Sequence, residues 1–207
     1  MAPSANFSNI YKFYDLINKI VTLGFDTKWR KRAVNLIVGK NILDLGSGTG
    51  AAFNLLNDFD VTAIDPDEKM LKLNEFKNKL VGKAESLPFQ DNTFDSVVCT
   101  FVWRNLDDTH KALSEIRRVL KPGGKFILLD MTRPKNEFLS YLHFLGTFMV
   151  TTLVGLVTLN LKEYRFLHHS LDKYSQPEEN LANNPFESYK IFRMGIFGFV
   201  YLAEFTG

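Results

Sequence analysis

The stretch Asn41-Ile42-Leu43-Asp44-Leu45-Gly46-Ser47-Gly48-Thr49-Gly50 decides the fold of this chain. Its apolar half is typical of a strand that is buried on both faces of a parallel sheet. Three glycines at alternate positions then let the backbone turn sharply and approach a ligand closely. A helix is expected over 51–57, with its first N–H groups facing the loop. These features predict the first βα turn of a doubly wound α/β domain, where nucleotide-like ligands bind at the carboxyl ends of the strands.

A second acid follows the next apolar run. Val61-Thr62-Ala63-Ile64 ends in Asp65, at about the spacing at which the second strand of such a domain places a carboxylate on a ribose. The glycines alternate and therefore do not form the dinucleotide fingerprint G-x-G-x-x-G. The spacing Asp44-x-Gly46-x-Gly48-x-Gly50 instead resembles motif I of class I S-adenosylmethionine methyltransferases. A glycine-rich turn without a ligand and a nicotinamide enzyme are the weaker alternatives.

Composition and charge exclude several classes of protein. The 207 residues include 25 basic and 23 acidic side chains, and the net charge of +2 gives no electrostatic footprint for nucleic acid. The single cysteine, Cys99, excludes a disulfide framework and a cysteine-built metal site. No metal is expected, because the adjacent pair His168-His169 is weak evidence for one and is more typical of a surface. Because the N-terminus lacks the pattern of a signal peptide, we expect a cytoplasmic protein with a single domain over 1–207.

Strand and helix alternate from the first motif to residue 130. The pattern predicts a helix over 66–79, a third strand within 79–84, a fourth over 94–100 and a fifth over 125–130. A further helix lies between the last two, and Lys121-Pro122-Gly123-Gly124 is expected to end it. The closing segment 188–205 alternates apolar and polar residues around Arg193-Met194-Gly195, which predicts an antiparallel hairpin. The chain is therefore expected to form a mostly parallel α/β sheet that the hairpin closes.

Three segments lie outside this alternation. Residues 1–38 carry aromatic residues at helical spacing and are expected to form an N-terminal helical cap. Between Phe138 and Leu161 there is no Asp, Glu, Lys or Arg, a length that would span a bilayer. A buried or pocket-lining helical region is favoured there over contact with a membrane surface, and a true span is the remaining alternative. The basic run 28–32 is either a solvated helix face or a contact for anionic lipid head groups.

Further motifs resemble the C-methyltransferases of menaquinone and ubiquinone biosynthesis, from about Phe13 to the C-terminus. The elements more particular to that group are Tyr14-Asp15 with Asn18, Leu23-Gly24-Phe25-Asp26-x-x-Trp29-Arg30, and Arg104-Asn105. The other matching elements are Ala84-Glu85-x-Leu87-Pro88-Phe89, Asp91-Asn92-x-Phe94-Asp95, Arg118-Val119-Leu120-Lys121-Pro122-Gly123-Gly124 and Tyr164-x-x-Leu167-x-x-Ser170.

The resemblance implies a seven-stranded, Rossmann-like fold and S-adenosyl-L-methionine as the methyl donor. The residues that it places against the donor are Asp44, Gly46, Gly48, Thr49, Gly50, Asp65 (on the ribose hydroxyls), Ala84 (against adenine) and Thr100 (beneath the acceptor). Two positions depart from the family pattern. Lys83 replaces the Asp or Asn that meets the adenine amino group, and it cannot accept a hydrogen bond. Val102-Trp103 replaces a small, glycine-containing pair, which changes the shape of the pocket.

The reaction that the resemblance implies is methylation of a quinol ring carbon. Loss of a ring hydroxyl proton makes the neighbouring carbon nucleophilic, and a nearby cation stabilises the phenolate. We expect Arg104 and Asn105 to be catalytic residues. Arg104 is expected to supply that cation, because a guanidinium hardly deprotonates near neutral pH. A structural pairing of Arg104 with Asp107 or Asp108 is the alternative. Asp130, at the end of the fifth strand, is the alternative base.

A polyprenyl quinol is lipophilic, so its tail needs an apolar channel or access from the bilayer. The segment 138–175 is expected to cover the acceptor site as an apolar helical region. The expected partners are a lipophilic, quinol-like acceptor, a peripheral membrane contact and a second copy in a homodimer. A methyltransferase for another lipid or small molecule is the first alternative function. A non-catalytic, membrane-associated binding protein of the same fold is the second.

Overall fold

The computed structural model describes residue 22 and residues 24–157, 159, 161–173 and 176–207. Its elements in chain order are α1 (Asp26–Val34), β1 (Asn41–Leu45), a 3-10 turn (Phe53–Leu55), β2 (Asp60–Asp65), α2 (Glu68–Leu73), β3 (Asn78–Val81), β4 (Phe94–Thr100), a second 3-10 turn (Trp103–Asn105), α3 (Thr109–Val119), β5 (Leu120–Met131), α4 (Glu137–Val157), α5 (Leu161–Lys173), α6 (Pro177–Asn180), β6 (Ser188–Met194), a third 3-10 turn (Ile196–Gly198) and β7 (Val200–Thr206). Of the predicted N-terminal cap, only α1 and the residues around it fall within this description. Tyr14, Asp15 and Asn18 lie outside it, as do the side chains of Tyr164 and Leu167.

The seven strands found among the described residues form one sheet in the order β3-β2-β1-β4-β5-β7-β6. Strands β1 to β5 pair in parallel, β7 pairs antiparallel with β5, and β6 pairs antiparallel with β7. The direction of the chain across the sheet reverses between β1 and β4, and ligands of doubly wound sheets bind at such a switch point. The predicted fold class is confirmed, including the closing hairpin.

Strand residues alternate between two apolar clusters, one on each face of the sheet. Leu43 and Val97 belong to one cluster, and their neighbours Ile42 and Val98 belong to the other. All four are fully buried, because helices cover both faces. The rigid centre of the sheet therefore carries the carboxyl ends of β1 and β4 to the switch point.

Two predicted helices are shorter than expected. The segment 51–57 forms only a 3-10 turn, because the chain must return to start β2 at Asp60. The helix expected over 66–79 ends at Leu73, because Asn74 turns to extended backbone. The side-chain amide of Asn74 donates to Ser47 Oγ (2.7 Å) and to the Gly48 carbonyl oxygen (3.1 Å), so the end of the helix is hydrogen-bonded to the loop after β1. As a result, β3 begins at Asn78, just before the predicted window.

Strand β5 is longer than predicted and includes residues 121–124, where a turn was expected. Its pairing with β4 shifts from Phe94↔Leu120 to Ser96↔Lys125, so the residues between them bulge out of the ladder. The Gly123 N–H donates to the carbonyl oxygen of Gly207 (2.7 Å), which holds the bulge against the C-terminal strand. The glycines there allow a bulge within one strand where the sequence suggested a turn.

The uncharged segment forms α4, which packs along α5, but its burial differs from the prediction. Five of its apolar side chains are more than half exposed, namely Phe138 (68%), Tyr141 (60%), Met149 (69%), Leu153 (64%) and Leu156 (55%). By length and composition alone, α4 could cross a membrane. The expectation of a buried helix is wrong for this outer face, because its apolar side chains do not pack against other described parts of the protein. The inner face, with Thr147 and Thr151, does line a cavity.

Candidate active site

A cavity of about 520 Å³ lies at the carboxyl ends of β1, β2 and β4, and we call it the larger cavity. Its volume is in the range of small-molecule sites. The predicted site residues that line it are Gly46, Gly48, Thr49, Asp65, Ala84, Thr100 and Asn105. They come from the ends of β2 and β4 and from the segments that follow β1, β3 and β4, which the parallel sheet brings to one edge.

Gly46 and Gly48 shape the loop after β1. Gly46 has φ +71°, and a Cβ there would lie 2.6 Å from Val102 Cγ1. Only glycine therefore fits between the loop and Val102, the residue that departs from the family pattern. The Gly46 N–H donates to the Ile64 carbonyl oxygen (2.8 Å), and the Gly48 N–H donates to Asp65 Oδ2 (2.9 Å). The first loop is thus hydrogen-bonded to the end of β2.

Asp44 and Gly50 support this loop but are not among the residues that line the larger cavity. Asp44 is 2% exposed, and its Oδ2 accepts a hydrogen bond from Ser47 Oγ (2.7 Å). Burial raises the pKa of the Asp44 carboxyl, although the Ser47 hydrogen bond and the charge of Arg30 oppose the rise. A Cβ at Gly50 would lie 2.9 Å from Asn74 Oδ1. Asp44 and Gly50 therefore affect the larger cavity only indirectly, because they determine the conformation of the loop that lines it.

Asp65 is the acid that faces the cavity from β2. Its Oδ2 accepts from Gly48, and its Oδ1 accepts from the Asp67 N–H (2.8 Å). Burial raises the pKa of Asp65 to about 6; those two hydrogen bonds oppose the rise, and the charges of Asp67 and Asp44 add to it. At neutral pH the carboxylate is mostly ionised and is an acceptor for ligand hydroxyl groups.

The loop after β3 closes a second side of the larger cavity. Ala84 is 5% exposed, and Lys83 Nζ lies 3.4 Å from Asp107 Oδ2 at the cavity rim. Glu85 Oε1 accepts a hydrogen bond from the Asp107 N–H (3.0 Å), so this loop is tied to the one before α3. Lys83, which replaces the usual acceptor, is therefore engaged with a carboxylate of the neighbouring loop.

Arg118, at the end of α3, connects two of the sequence motifs, because it is hydrogen-bonded to the loop Leu87-Pro88-Phe89. Its Nη1 donates to the Phe89 carbonyl oxygen (2.8 Å), and its Nη2 donates to that of Leu87 (3.0 Å). Its Nε donates to Glu115 Oε1 (2.8 Å) on the same helix. Arg118 thereby fixes the loop that carries Ala84.

Arg30 lies buried beside Thr100, contrary to the expectation for the basic run. It is 6% exposed, it donates to Thr100 Oγ1, and its guanidinium carbon lies 4.9 Å from the ring centroid of Phe101. Lys28 and Lys31 in the same helix are exposed. The run is therefore split by the helical period, and the prediction of a solvated or lipid-facing side chain is wrong for Arg30.

A second cavity of about 30 Å³, which we call the smaller cavity, shares Arg30 with the larger one. Residues of α1, the 3-10 turn after β4, the end of β5, α4 and α5 line it. Arg104 and His168 are among them. Both cavities adjoin the end of β4, where Thr100 lines the larger one and Phe101 the smaller.

Arg104 and Asp130, both predicted as catalytic residues, form one buried ion pair. They are 4% and 0% exposed. Asp130 Oδ2 also accepts a hydrogen bond from the Arg104 backbone N–H (3.0 Å). Arg104 Nε donates to Ser170 Oγ on α5 (3.1 Å), and its Nη1 donates to the Phe101 carbonyl oxygen (3.3 Å). Arg104 is thus held by three neighbouring segments.

The alternative pairing of Arg104 with the acids that follow it is wrong. Asp107 lies beside Lys83, and Asp108 begins α3 by accepting a hydrogen bond from the Lys111 N–H (3.0 Å). The 3-10 turn directs the Arg104 side chain away from both acids and toward the end of β5.

The other residues of this turn go to different places. Trp103 is fully buried, with its ring centroid 5.5 Å from that of Phe126. Val102 lines the larger cavity against Gly46. Asn105 also lines it, and its Oδ1 is buried without a hydrogen-bond partner among the residues described. Arg104 and Asn105, adjacent in sequence, therefore face different cavities.

His168 is buried, although the sequence favoured a surface position for the histidine pair. It is 2% exposed and lines the smaller cavity, whereas His169 is exposed. Adjacent positions on a helix point in different directions, so packing of α5 on α4 buries one and not the other. In the described part of the chain, no three His, Cys, Asp or Glu side chains are grouped so as to hold a metal ion.

Known sequences are similar to this chain over most of its length. The model of the "ubiE/COQ5 methyltransferase family" matches residues 4–197. A demethylmenaquinone methyltransferase of Thermotoga maritima is 35% identical over 199 residues, which cover 89% of this chain and 86% of that protein. The ubiquinone/menaquinone biosynthesis C-methyltransferase UbiE of Rickettsia rickettsii is 34% identical over 194 residues, which cover 84% and 78%.

Solved structures share the fold. A SAM-dependent methyltransferase of Thermotoga maritima superposes with a TM-score of 0.69 at 20% identity, over 97% of each chain. Another, of Archaeoglobus fulgidus, gives a TM-score of 0.67 at 16% identity, over 94% of this chain and 100% of that one. Given the sheet, the larger cavity and a match over nearly the whole sequence, the chain belongs to the ubiE/COQ5 methyltransferase family and is an S-adenosyl-L-methionine-dependent methyltransferase.

Proposed function

We propose that this enzyme methylates a ring carbon of a quinol that carries an apolar tail. The names of its relatives, which refer to menaquinone and ubiquinone biosynthesis, support a quinol-type acceptor. The observation that carries the proposal is the pair of cavities that share Arg30. The larger suits a nucleoside, and the smaller combines apolar walls with the polar groups of Arg104 and His168.

The larger cavity fits S-adenosyl-L-methionine in volume and in its polar groups. Asp65 would accept hydrogen bonds from the two ribose hydroxyls, and the Ala84 N–H would meet the adenine ring. The loop residues Gly46, Gly48 and Thr49 would let the backbone approach the methionine part, with Asp44 and Gly50 holding the loop in place. Thr100 would lie beneath the acceptor. When bound, this donor supplies an electrophilic methyl group on a sulfonium sulfur.

Asn105 is proposed to bind an amino group of the donor. Its Oδ1 lacks a partner among the residues described, and it lines the larger cavity. A buried carbonyl oxygen without a hydrogen bond is costly, and a ligand N–H would complete it. This contact offsets the loss of the acceptor at Lys83.

Arg104 is proposed to stabilise the charge that develops on a ring oxygen of the acceptor. Its Nε and Nη1 are used in hydrogen bonds, whereas Nη2 takes part in none within the described residues. Nη2 is therefore the atom available to a ring oxygen in the smaller cavity. Asp130 is proposed to orient Arg104 rather than act as the base, because its carboxylate accepts from Arg104 and from the Met131 N–H (2.7 Å).

We also propose that the exposed face of α4 rests on the membrane that holds the acceptor. The turn after β6 extends this apolar face, because Ile196 and Phe197 are 60% and 65% exposed. The turn lies next to α4, because the ring of Phe199, the residue after the turn, lies 5.3 Å from that of His143 on α4. The opposite face of α4 lines the smaller cavity, so a tail that enters from the bilayer has a short path. The segment 138–175 would thereby cover the acceptor site within a single domain over 1–207.

A panel of quinols with and without apolar tails tests the acceptor. We expect S-adenosyl-L-methionine-dependent gain of one methyl group on quinols, with a lower KM for tailed members. Methylation of a simple amine or phenol in preference to every quinol would overturn the proposal and favour another small-molecule acceptor.

Co-sedimentation with liposomes tests the membrane contact. The parent protein should sediment with them, and the Met149→Glu/Leu153→Glu variant should not, while keeping turnover on a quinol without a tail. Leu73→Glu is the control, because Leu73 is an exposed apolar residue (48%) on α2. A parent protein that forms a dimer and ignores liposomes would instead place a second copy on this face.

A further inference from the structure

The two ring nitrogens of His168 have different surroundings. Nδ1 lies 3.1 Å from Thr147 Oγ1 on α4. Nε2 is buried and has no hydrogen-bond partner in the described part of the chain. The residue is 2% exposed and lines the smaller cavity together with Arg104. Because an unpaired buried nitrogen is costly, its place beside a cavity points to a ligand group that completes it.

The hydrogen bonds of Thr147 indicate which nitrogen of His168 carries the proton. A hydroxyl has one proton and two lone pairs. Thr147 donates to the carbonyl oxygen of His143 one turn back (2.8 Å), as helical threonines commonly do. It accepts from Arg133 Nη1 (2.9 Å), which leaves one lone pair for His168. We therefore assign the proton to Nδ1, so that Nε2 of the neutral ring carries a lone pair.

The smaller cavity suits one edge of a hydroxylated aromatic ring. Its apolar walls are Phe101, Met131 and Leu171. A volume of about 30 Å³ holds a hydroxyl group or a water, so the ring itself would lie toward Arg30, which lines both cavities. Two rings of α4 pack edge-on against the imidazole and fix its plane, those of Phe144 (4.6 Å between centroids) and Phe148 (5.6 Å).

We infer that His168 Nε2 is the base that takes the proton of the acceptor's ring hydroxyl, an assignment that rests on the proposed function. As the proton passes to Nε2, negative charge reaches the neighbouring ring carbon. That carbon bonds to the methyl group while the methyl–sulfur bond breaks and leaves its electron pair on sulfur. The methylated carbon then loses its proton to water, and the ring oxygen takes back the proton from His168. One proton is released for each methyl group transferred, and the imidazole returns to its neutral form.

The charges around His168 keep it neutral. Burial lowers its pKa, the positive charge of Arg133 and the neighbouring His169 act in the same direction, and Asp172 opposes them. The other titratable or charged groups facing it are His143 on α4 and, across the cavity, Asp26, Arg30 and Arg104. A base whose pKa lies below neutral pH stays unprotonated, so turnover of the parent enzyme should fall only in acid.

NMR of the full chain with isotope-labelled histidine tests the assignment without turnover. We expect His168 in the free protein at neutral pH to carry its proton on Nδ1. Adding a quinol together with S-adenosylhomocysteine should shift the Nε2 signal of His168 and leave that of His169 in place. A protonated Nε2 in the free neutral protein would overturn the assignment.

The variant His168→Asn tests the same point kinetically, because asparagine keeps an N–H for Thr147 but has no base. Its turnover on a quinol should fall by about 10²–10⁴-fold at neutral pH, the usual contribution of a general base. Its affinity for S-adenosylhomocysteine should match that of the parent. The remaining rate should rise about tenfold per pH unit toward the pKa of the ring hydroxyl, which is about 10 for a phenol.

His169→Asn is the matched control and should behave like the parent enzyme. If the parent methylates a quinol and His168→Asn keeps the parent's turnover and pH profile, His168 is not the base, whereas the proposed function still stands. If the parent methylates no quinol, the proposed function fails, and the assignment fails with it.

Discussion

Burial raises the pKa of Asp65 to about 6, so its charge changes close to neutral pH. If its carboxylate binds the ribose hydroxyls as proposed, the ionised form is the stronger acceptor. As pH falls below that value, protonation removes an acceptor, so affinity for S-adenosylhomocysteine should fall by up to about tenfold per pH unit. Calorimetry across this range, with the parent protein, measures the effect.

The variant Asp65→Asn should remove this pH dependence and weaken binding at neutral pH. Loss of the charged hydrogen bonds should cost about 1.5–3 kcal/mol, or more than about tenfold in affinity. Asp67→Asn is the control, because Asp67 also lines the larger cavity, and it should retain the dependence. An affinity that is flat with pH in the parent would remove Asp65 from the donor site.

Single and double variants of the buried pair Arg104–Asp130 distinguish its effect on stability from its effect on turnover. Replacing either residue alone with an apolar one leaves an unpaired buried charge, which should lower the free energy of unfolding by about 3–5 kcal/mol. The double variant Arg104→Met/Asp130→Leu should be much closer to the parent, since it removes both charges. Urea denaturation measures all three proteins. The exposed pair Lys72–Glu68 (3.0 Å) is the control, and breaking it should change stability by less than about 1 kcal/mol.

The same double variant should be folded but slow. Turnover should fall by about two to three orders of magnitude, the scale for losing one oxyanion donor, while donor affinity stays unchanged. A double variant with full turnover would show that neither residue serves the acceptor.

At the scale of residues, the sequence predicted the parts of the site that follow strands and glycines. Asp65 and Thr100 end apolar runs, so the parallel sheet alone places them at the larger cavity. Arg30 and His168 could not be predicted in the same way. A basic run and a pair of adjacent histidines both suggest a surface, and the orientation of a helix against its neighbours decides which member is buried.

At the scale of elements, two glycines of α4 should respond in opposite ways to alanine. A Cβ at Gly146 would meet nothing within 4 Å, whereas one at Gly155 would lie 3.0 Å from Leu161 Cα on α5. Gly146→Ala should therefore raise the free energy of unfolding by about 0.5–1 kcal/mol, because alanine loses less backbone entropy in a helix. Gly155→Ala should lower it, because the backbone of α5 must move. Equal effects in thermal unfolding would contradict the packing of α4 on α5.

The strands were easier to predict than the helices between them. Runs of apolar, β-branched residues such as those of β4 require a buried strand in most settings. The helix after β2 ends early because Asn74 is hydrogen-bonded to a distant loop, which no local pattern signals. The apolar face of α4 was interpreted as buried because hydropathy alone does not distinguish protein packing from contact with lipid.

At the scale of the whole molecule, His143 should make stability depend on pH. Burial lowers its pKa to about 4 from an ordinary 6.5. Between these values the unfolded chain binds a proton that the folded chain does not, so the free energy of unfolding falls as pH falls through this window. The loss relative to His143→Asn should reach about 1–3 kcal/mol. Asparagine keeps an acceptor for Arg133, whose Nη1 lies 3.3 Å from His143 Nδ1.

Other groups change stability in the same pH range, so the difference between parent and variant is the quantity to measure. Asp65 acts in the opposite direction, because its raised pKa makes the folded chain bind the extra proton. Urea denaturation of both proteins at several pH values isolates the histidine. A difference that does not change with pH would show that the partly buried position of His143 does not lower its pKa.

The mostly parallel α/β class of the sheet followed from the sequence, because strands and helices that alternate with short connections allow few arrangements. The closing hairpin could also be predicted, from alternation around Gly195. The position of Arg30 in the lining of both cavities could not be predicted, since it depends on α1, α4 and α5 packing around the end of β4.

On the proposed function, the methyl group passes from a donor in the larger cavity to a ring carbon held at the smaller one. The most direct test uses S-adenosyl-L-methionine with a deuterated methyl group, a tailed quinol and NMR of the product. The predicted result is an intact labelled methyl group on a ring carbon, with the parent enzyme active and Arg104→Met/Asp130→Leu nearly inactive. A label on a ring oxygen, or no labelled quinol at all, would contradict it.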